Sequence, residues 1–278
     1  MRRSLLFIPG NNPGMIQNAL LFGSDAVIFD LEDAVAISEK DSARELVKSY
    51  LNDNELNIEV IVRINDFHSD FYIDDLKIVS NKIDALMIPK ARFDDLLSID
   101  HDLEVIEKDL GKKIKLIPII ELASSLIEVE KIVTIPRVDG LLLGAEDLTS
   151  DMEISRTDTG FELQYPRSRI SFAAKAYKID AIDTPYPNIN REDMLRQECD
   201  IALSLGMNAK ACIHPNQIAI VNEKFSPSKE AINYALKVIE ASQKASGAFS
   251  LEGKMIDKPI IERCEKIIMK AKKFGLIS

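Results

Sequence analysis

The chain is poor in soft metal ligands. Three cysteines (Cys199, Cys212, Cys264) and three histidines (His68, His101, His214) are scattered through 278 residues, with no C-x-x-C and no H-E-x-x-H. That argues against a disulfide framework or a thiolate zinc site and fits a reducing compartment. No G-x-G-x-x-G follows any apolar run, so the dinucleotide fingerprint is missing. No stretch nears the ~18 consecutive apolar residues of a membrane span. Arg2-Arg3 followed by the apolar run 5–8 imitates a signal peptide. The run is too short, however, and no small-residue cleavage site follows. A cytoplasmic location is expected. Basic residues are outnumbered, 35 against 45, for a formal net charge of −10. Nucleic acid and anionic membrane are therefore disfavoured as partners. An anionic substrate would need a local cluster of positive charge.

What is present is an alternation. Apolar residues make up 46% and charged residues 29% of the chain, ordinary for a globular enzyme. Short apolar runs at 5–8, 26–29, 60–64, 85–88, 116–120, 140–143, 181–183 and 210–213 read as strands. They are continuously apolar, as parallel strands buried on both faces are. Amphipathic helical stretches lie between them. Ser38-Glu39-Lys40-Asp41 is a variant capping box that opens a helix to Leu51. Residues 94–110 carry Leu96, Ile99, Leu103, Ile106 and Leu110 at helical steps, with Gly111 as the stop. Asn190 is placed to cap a helix to Leu205, ended by Gly206. Eight strands alternating with helices imply an α/β fold, a (β/α)₈ TIM barrel. An open doubly wound sheet is the competing topology. The barrel is expected over residues 1–225 and extra C-terminal helices over 226–278. In that extension Ser226-Pro227 starts a helix, residues 247–257 form a loop, and a last helix runs to Phe274. It would cover the barrel mouth or reach a neighbouring subunit.

Barrel enzymes carry their chemistry at the C-terminal ends of strands. Here those ends read Asp30-Leu31-Glu32-Asp33, Arg63-Ile64-Asn65, Pro89-Lys90, Glu121, Gly144-Ala145-Glu146-Asp147, Asp183 and His214. This is a ring of carboxylates with a few cations. Oxygen-only ligands suit Mg²⁺, which takes one or two protein carboxylates and fills its shell with water and substrate. Glu121 and Asp147, on adjacent strands, would supply two. Any single carboxylate here has a plainer reading as a helix cap or a solvated loop residue. Arg63 lies in an otherwise apolar strand, so its charge needs a partner. Either it clamps a substrate carboxylate with its planar fork, or it forms a structural bridge to Glu32 or Asp33. Lys90 carries the same two readings. His214 reads as a packing or hydrogen-bonding residue, and Gly10-Asn11-Asn12-Pro13-Gly14 as a turn.

Several of these runs resemble the citrate lyase β-subunit (citryl lyase) family, within the wider citrate lyase, malyl-CoA lyase and HpcH/HpaI aldolase superfamily. They are Ser4-Leu5-Leu6-Phe7-Ile8-Pro9-Gly10-Asn11-Asn12, Phe29-Asp30-Leu31-Glu32-Asp33-Ala34-Val35, Glu39-Lys40-Asp41-Ser42-Ala43-Arg44 and Ile61-Val62-Arg63-Ile64-Asn65. Gly144-Ala145-Glu146-Asp147, Ile213-His214-Pro215-Asn216-Gln217-Ile218 and Gly253-Lys254-Met255-Ile256-Asp257-Lys258-Pro259 complete the set.

The resemblance implies Mg²⁺ on Glu121 and Asp147, and the keto-acid half of a substrate on Arg63; Glu121, Lys90 and Asn65, also at strand ends, are expected to bind substrate with it. It implies Glu32 and Asp33 close to the metal, and Asp257 as an acid entering a neighbour's site. Asp257 also reads as the cap of the last helix. The implied reaction is cleavage of a citryl thioester, on an acyl carrier protein or CoA, to oxaloacetate and an acetyl thioester. The implied assembly is an oligomer, a trimer by preference, with possible citrate lyase α and γ subunits. Competing readings are a malyl-CoA or citramalyl-CoA lyase, an aldolase on free keto acids, and a non-catalytic assembly subunit. One departure is Leu122, where the family usually has Thr or Ser after the metal-binding Glu. Ser124 or Ser125 is then expected to cap the next helix.

Overall fold

A computed structural model describes residues 1–243 and 247–277. The eight strands are β1 (Ser4–Pro9), β2 (Ala26–Asp30), β3 (Glu59–Arg63), β4 (Ala85–Ile88), β5 (Lys115–Ile120), β6 (Gly140–Leu143), β7 (Asp180–Asp183) and β8 (Ala209–Cys212). Each pairs in parallel with the next, and β1 pairs with β8, closing the barrel. Around them run α1 (Pro13–Gln17), α2 (Lys40–Asp53), α3 (Tyr72–Asp75), α4 (Phe93–Ile106), α5 (Ala123–Ile127), α6 (Val129–Ile132), α7 (Ala145–Asp151), α8 (Gln164–Tyr177), α9 (Glu192–Ser204) and α10 (Asn216–Phe225). The (β/α)₈ barrel is the fold. No helix among the described residues is long and apolar enough to cross a membrane.

Successive strand residues point to opposite faces. Leu5, Ala26, Ile28, Ile61, Ala85, Met87, Ile117, Ile119, Leu142, Ile182, Ala209 and Ala211 form the cluster that fills the barrel. Leu6, Ile8, Val27, Phe29, Val60 and Val62, one step out of phase, are buried as well; this is the side that helices cover. Two buried faces explain why the strands read as unbroken apolar runs.

The mouth at the N-terminal ends of the strands is closed by charge. Arg2, 3% exposed, donates to Glu59 through two bonds of 2.6 Å, to Asp139 at 2.6 Å and to Asp180 at 2.8 Å. One guanidinium thus ties the starts of β3 and β7 and the approach to β6. Arg3 forks onto Asp25. The two arginines that imitate a leader are structural.

Several boundaries differ from expectation. The Ser38–Asp41 box does not form: a 3₁₀ turn, Ile37–Glu39, leads into α2, and Asp41 accepts from Arg44 instead. Helix α4 ends at Ile106, short of Gly111. Arg191, not Asn190, occupies the cap position of α9.

The chain divides into two compact units, Met1–Asn222 and Glu223–Ser278. The second contains α11 (Lys229–Ser242), strands β9 (Phe249–Leu251) and β10 (Lys254–Ile256), and α12 (Lys258–Lys273). Ser228, rather than Ser226, caps α11 by accepting from the Ala231 N–H. The expected loop 247–257 instead holds an antiparallel hairpin. Glu252 and Gly253 turn it with positive φ at both positions, as a two-residue primed turn requires. Ala235, Val238, Ile256 and Cys264 form the core of this unit.

Arg2→Ala leaves three carboxylates without their shared cation. It is expected to lower unfolding free energy by about 2–4 kcal/mol, measured by urea denaturation. A loss below about 0.5 kcal/mol would place Arg2 among ordinary surface ion pairs.

Candidate active site

The period of two that packs the barrel also builds the site. Continuing the inward phase past each strand's apolar stretch gives Asp30 after Ile28, Arg63 after Ile61, Glu121 after Ile119, Gly144 after Leu142 and Thr184 after Ile182. All five line one cavity of about 450 Å³ at the C-terminal ends of the strands, with Phe7, Pro9, Asp33, Glu146 and Asp147. Asp183 and Lys210 have the opposite phase. They lie wholly buried outside the barrel wall, 2.7 Å apart, with Arg167 and Glu198. Asp183, a strand-end carboxylate by sequence, belongs instead to that buried cluster as a partner of Lys210 and Arg167.

Arg63 is the cation of the cavity. Its Nε and Nη2 donate to the two Asp30 oxygens at 2.7 and 2.6 Å. Its Nη1 reaches Glu32 at 2.8 Å and Asp33 at 3.6 Å. The guanidinium lies 5.0 Å from the centre of the Phe7 ring. Asp30, unassigned from sequence, is its main partner, because the two residues stand opposite each other in the β2–β3 register. A guanidinium has five N–H donors. Two hydrogen-bond to Asp30 and Nη1 forms an ion pair with Glu32, so among the described residues Arg63 keeps N–H donors for a ligand.

Glu32 is 7% exposed. Burial, reinforced by Asp33 and Asp30 and opposed by Arg63 and Lys90, lifts its carboxyl to about 7. Lys40 fixes the turn beneath it by donating to the Leu31 and Glu32 carbonyls at 2.7 and 2.6 Å. Glu121, 3% exposed, is raised to about 8, mainly by burial, with Glu32 and Asp147 adding to the effect. It accepts the backbone N–H of Lys90, a residue held at φ 46. That is a sparsely populated conformation for a side-chain-bearing residue. The Lys90 ammonium sits 4.0 Å from Glu32 and is largely exposed. Gly144 makes room for Glu121: a Cβ there would meet the Glu121 Cβ at 2.6 Å and its Oε2 at 2.7 Å.

Asp147 lies exposed in the first turn of α7, where the helix N-terminus favours an anion. Asn65 is turned away from this group. It is buried, and its side-chain amide donates to Asp75 at 2.6 Å and to the Leu31 carbonyl at 3.0 Å. His214 accepts the Asn216 N–H within its own turn. Asp257 belongs to the second unit, where its carboxylate accepts the Ile260 N–H and caps α12. At Leu122, the helix-opening Ala123 N–H is satisfied by Asp151 at 2.7 Å. Neither Ser124 nor Ser125 caps α5; Ser125 donates to the Ala91 carbonyl.

Glu121 and Asp147 therefore wall the same cavity, with oxygen donors only and no thiol or imidazole among its lining. No group of three or more His, Cys, Asp or Glu among the described residues is set to hold a metal ion. A pair of carboxylates is what Mg²⁺ uses when water and substrate complete its shell. Glu121 and Glu32, pushed above their usual range mainly by burial, with Glu32 adding to the effect on Glu121, mark a place where a cation would relieve negative charge. The donor set fits a hard divalent ion.

Both raised carboxyls mean that the folded chain binds more protons than the unfolded one between about pH 5 and pH 8, so their contribution lowers stability as pH rises through that window. In metal-free protein, the melting temperature should fall from pH 5 to pH 8, and Glu121→Gln should flatten that slope. A slope unchanged in the variant would mean that Glu121 titrates normally.

The family model for HpcH/HpaI aldolase/citrate lyase matches residues 3–215. The citrate lyase subunit beta of Leuconostoc mesenteroides subsp. cremoris is 38% identical over 282 residues, covering 96% of this chain and 92% of that one. The mitochondrial citramalyl-CoA lyase of Mus musculus is 31% identical over 287 residues, covering 96% and 85%. Protein CitE from Mycobacterium tuberculosis, solved in complex with magnesium, acetoacetate and coenzyme A, aligns with a TM-score of 0.81 at 27% identity, over 98% of each chain. The matched segment contains the whole wall of carboxylates around Arg63, and the chain belongs to the HpcH/HpaI aldolase/citrate lyase family.

Proposed function

We propose that this protein is a Mg²⁺-dependent carbon–carbon lyase that cleaves a citryl thioester to oxaloacetate and an acetyl thioester. The observation that carries the reading is the meeting of Glu121, Asp147 and Arg63 in one cavity. The similarity to a citrate lyase subunit beta and to a protein solved with magnesium and coenzyme A supports the substrate class. The carrier is an acyl carrier protein or CoA. Partners in this reading are further copies of the chain, as a trimer by preference, and citrate lyase α and γ subunits.

Cleavage begins with loss of the proton on the tertiary hydroxyl. The bond from the carbinol carbon to the thioester's CH₂ then breaks, the hydroxyl oxygen becomes the ketone of oxaloacetate, and the electron pair passes to the thioester enolate, which is protonated on carbon. Glu121 and Asp147 would hold the metal, which when bound supplies Lewis-acid polarisation of the hydroxyl and its neighbouring carboxylate. Arg63, braced by Asp30, offers its remaining N–H donors to the carboxylates of the keto-acid half. Glu32, raised to about 7, is poised to exchange the hydroxyl proton near neutral pH, with Asp33 beside it. Lys90 and Arg63 balance the charge of an anionic substrate. Asp257 serves as the acid for the enolate in a neighbouring copy's site.

Asp147→Ala is expected to lower turnover by at least about 10³-fold while melting stays near wild type. Side-by-side assays of citryl and citramalyl thioesters, with and without EDTA, check the reading. Activity that survives both the substitution and EDTA would sink the metal assignment. Preference for citramalyl-CoA would favour the second reading, to which the mouse relative points. Asn caps helices about as well as Asp. Asp257→Asn should therefore keep α12 stable yet cut turnover by about 10²-fold or more; unchanged turnover would leave Asp257 as a cap alone.

A further inference from the structure

Helix α7 opens with two adjacent acids, Glu146 and Asp147, and both line the cavity. Their surroundings differ. Among the described residues no hydrogen bond or ion pair engages the Asp147 carboxylate, whereas Glu146 accepts from Arg156 at 2.8 Å. Arg156 is itself anchored. Its second amino group donates to Glu198 at 2.6 Å and its first also approaches the Pro185 carbonyl at 3.4 Å. Glu198 is held by Arg167 at 3.0 Å and Lys210 at 2.8 Å, both fully buried. The Arg156 fork thus spans from a fixed charged base in the helix layer to the cavity rim.

We propose that Arg156 is a positioning residue that draws Glu146 aside and leaves Asp147 as the α7 carboxylate available to the cation. The inference rests on the lyase reading. Two neighbouring carboxylates, both free, would compete for one ion and add an uncompensated negative charge to a cavity that must admit an anionic substrate. Arg156 removes that charge without entering the cavity wall, and its anchorage on Glu198 keeps it from swinging onto Asp147.

Arg156→Ala releases Glu146. The expected result is a KM for the citryl thioester raised about tenfold with kcat changed less than about threefold. Mg²⁺ affinity, measured by calorimetry without substrate, should tighten about two- to threefold because a second carboxylate joins the site. Adding Glu146→Gln to this variant should return both values toward wild type. A brace that acts only through Glu198 would not be rescued this way, so a KM rise that persists in the double variant overturns the proposal, as does an unchanged KM. If Arg156→Ala does not fold, Arg156→Lys reads the same effect, since one ammonium cannot satisfy Glu146 and Glu198 together. A wild-type protein inert toward every thioester tested would sink the lyase reading separately. The calorimetric comparison would still decide here, equal Mg²⁺ affinity in all variants being the overturning outcome.

Discussion

At the top of the barrel a single guanidinium faces a surplus of carboxylates. Arg63 grips both oxygens of Asp30, touches Glu32 and lies against the Phe7 ring, and the acids around it are not all neutralised. Burying charge is tolerable only when geometry and extra hydrogen bonds offset lost hydration. Arg63 offsets Asp30 fully and Glu32 in part. Glu121 lies outside its grip, with a backbone N–H from Lys90 and a carboxyl pushed to about 8. The remaining excess of negative charge supports the proposal that Glu121 and Asp147 hold a cation.

The rest of the site follows from that arrangement and from the pleat. Inward phase brings Asp30, Arg63 and Glu121 together beyond the packed layers, and outward phase sends Asp183 and Lys210 into the helix layer. One chain thus maintains two charged clusters of different character. The outer one is compact and balanced, with Lys210 and Arg167 against Asp183 and Glu198. The inner one is open and acidic. Arg156 joins them, since it bonds Glu198 of one and Glu146 of the other.

Local choices in the backbone serve the same end. Gly144 has no side chain where a Cβ would fall on Glu121. Lys90 accepts a left-handed conformation that aims its N–H at the same carboxylate. Lys40 pins the carbonyls of the turn carrying Glu32 and Asp33. Each of the three sets the direction of a carboxylate at the barrel mouth.

The order and the place of all eight strands were legible in the chain, because short, mostly apolar runs spaced by helical stretches leave few alternatives when both faces are buried. Arg63 and Glu121 were legible for a related reason: a charge at the end of such a run must have partners. Helix starts were less so. Ser38, Asn190 and Ser226 each offered a plausible cap, and the choice fell elsewhere because packing of a helix within its own unit outweighs one local hydrogen bond. The hairpin after α11 was hidden because three-residue strands carry little periodicity. Asp30 as the partner of Arg63, Asn65 as a brace on Asp75, and Arg156 reaching Glu146 from ten residues away required coordinates. The alternation of apolar runs and helices by itself determined the barrel and the rim on which polar residues gather. Only the tertiary structure decided which charges pair, because pairing depends on strand register and on distances of a few ångströms between residues far apart in the chain.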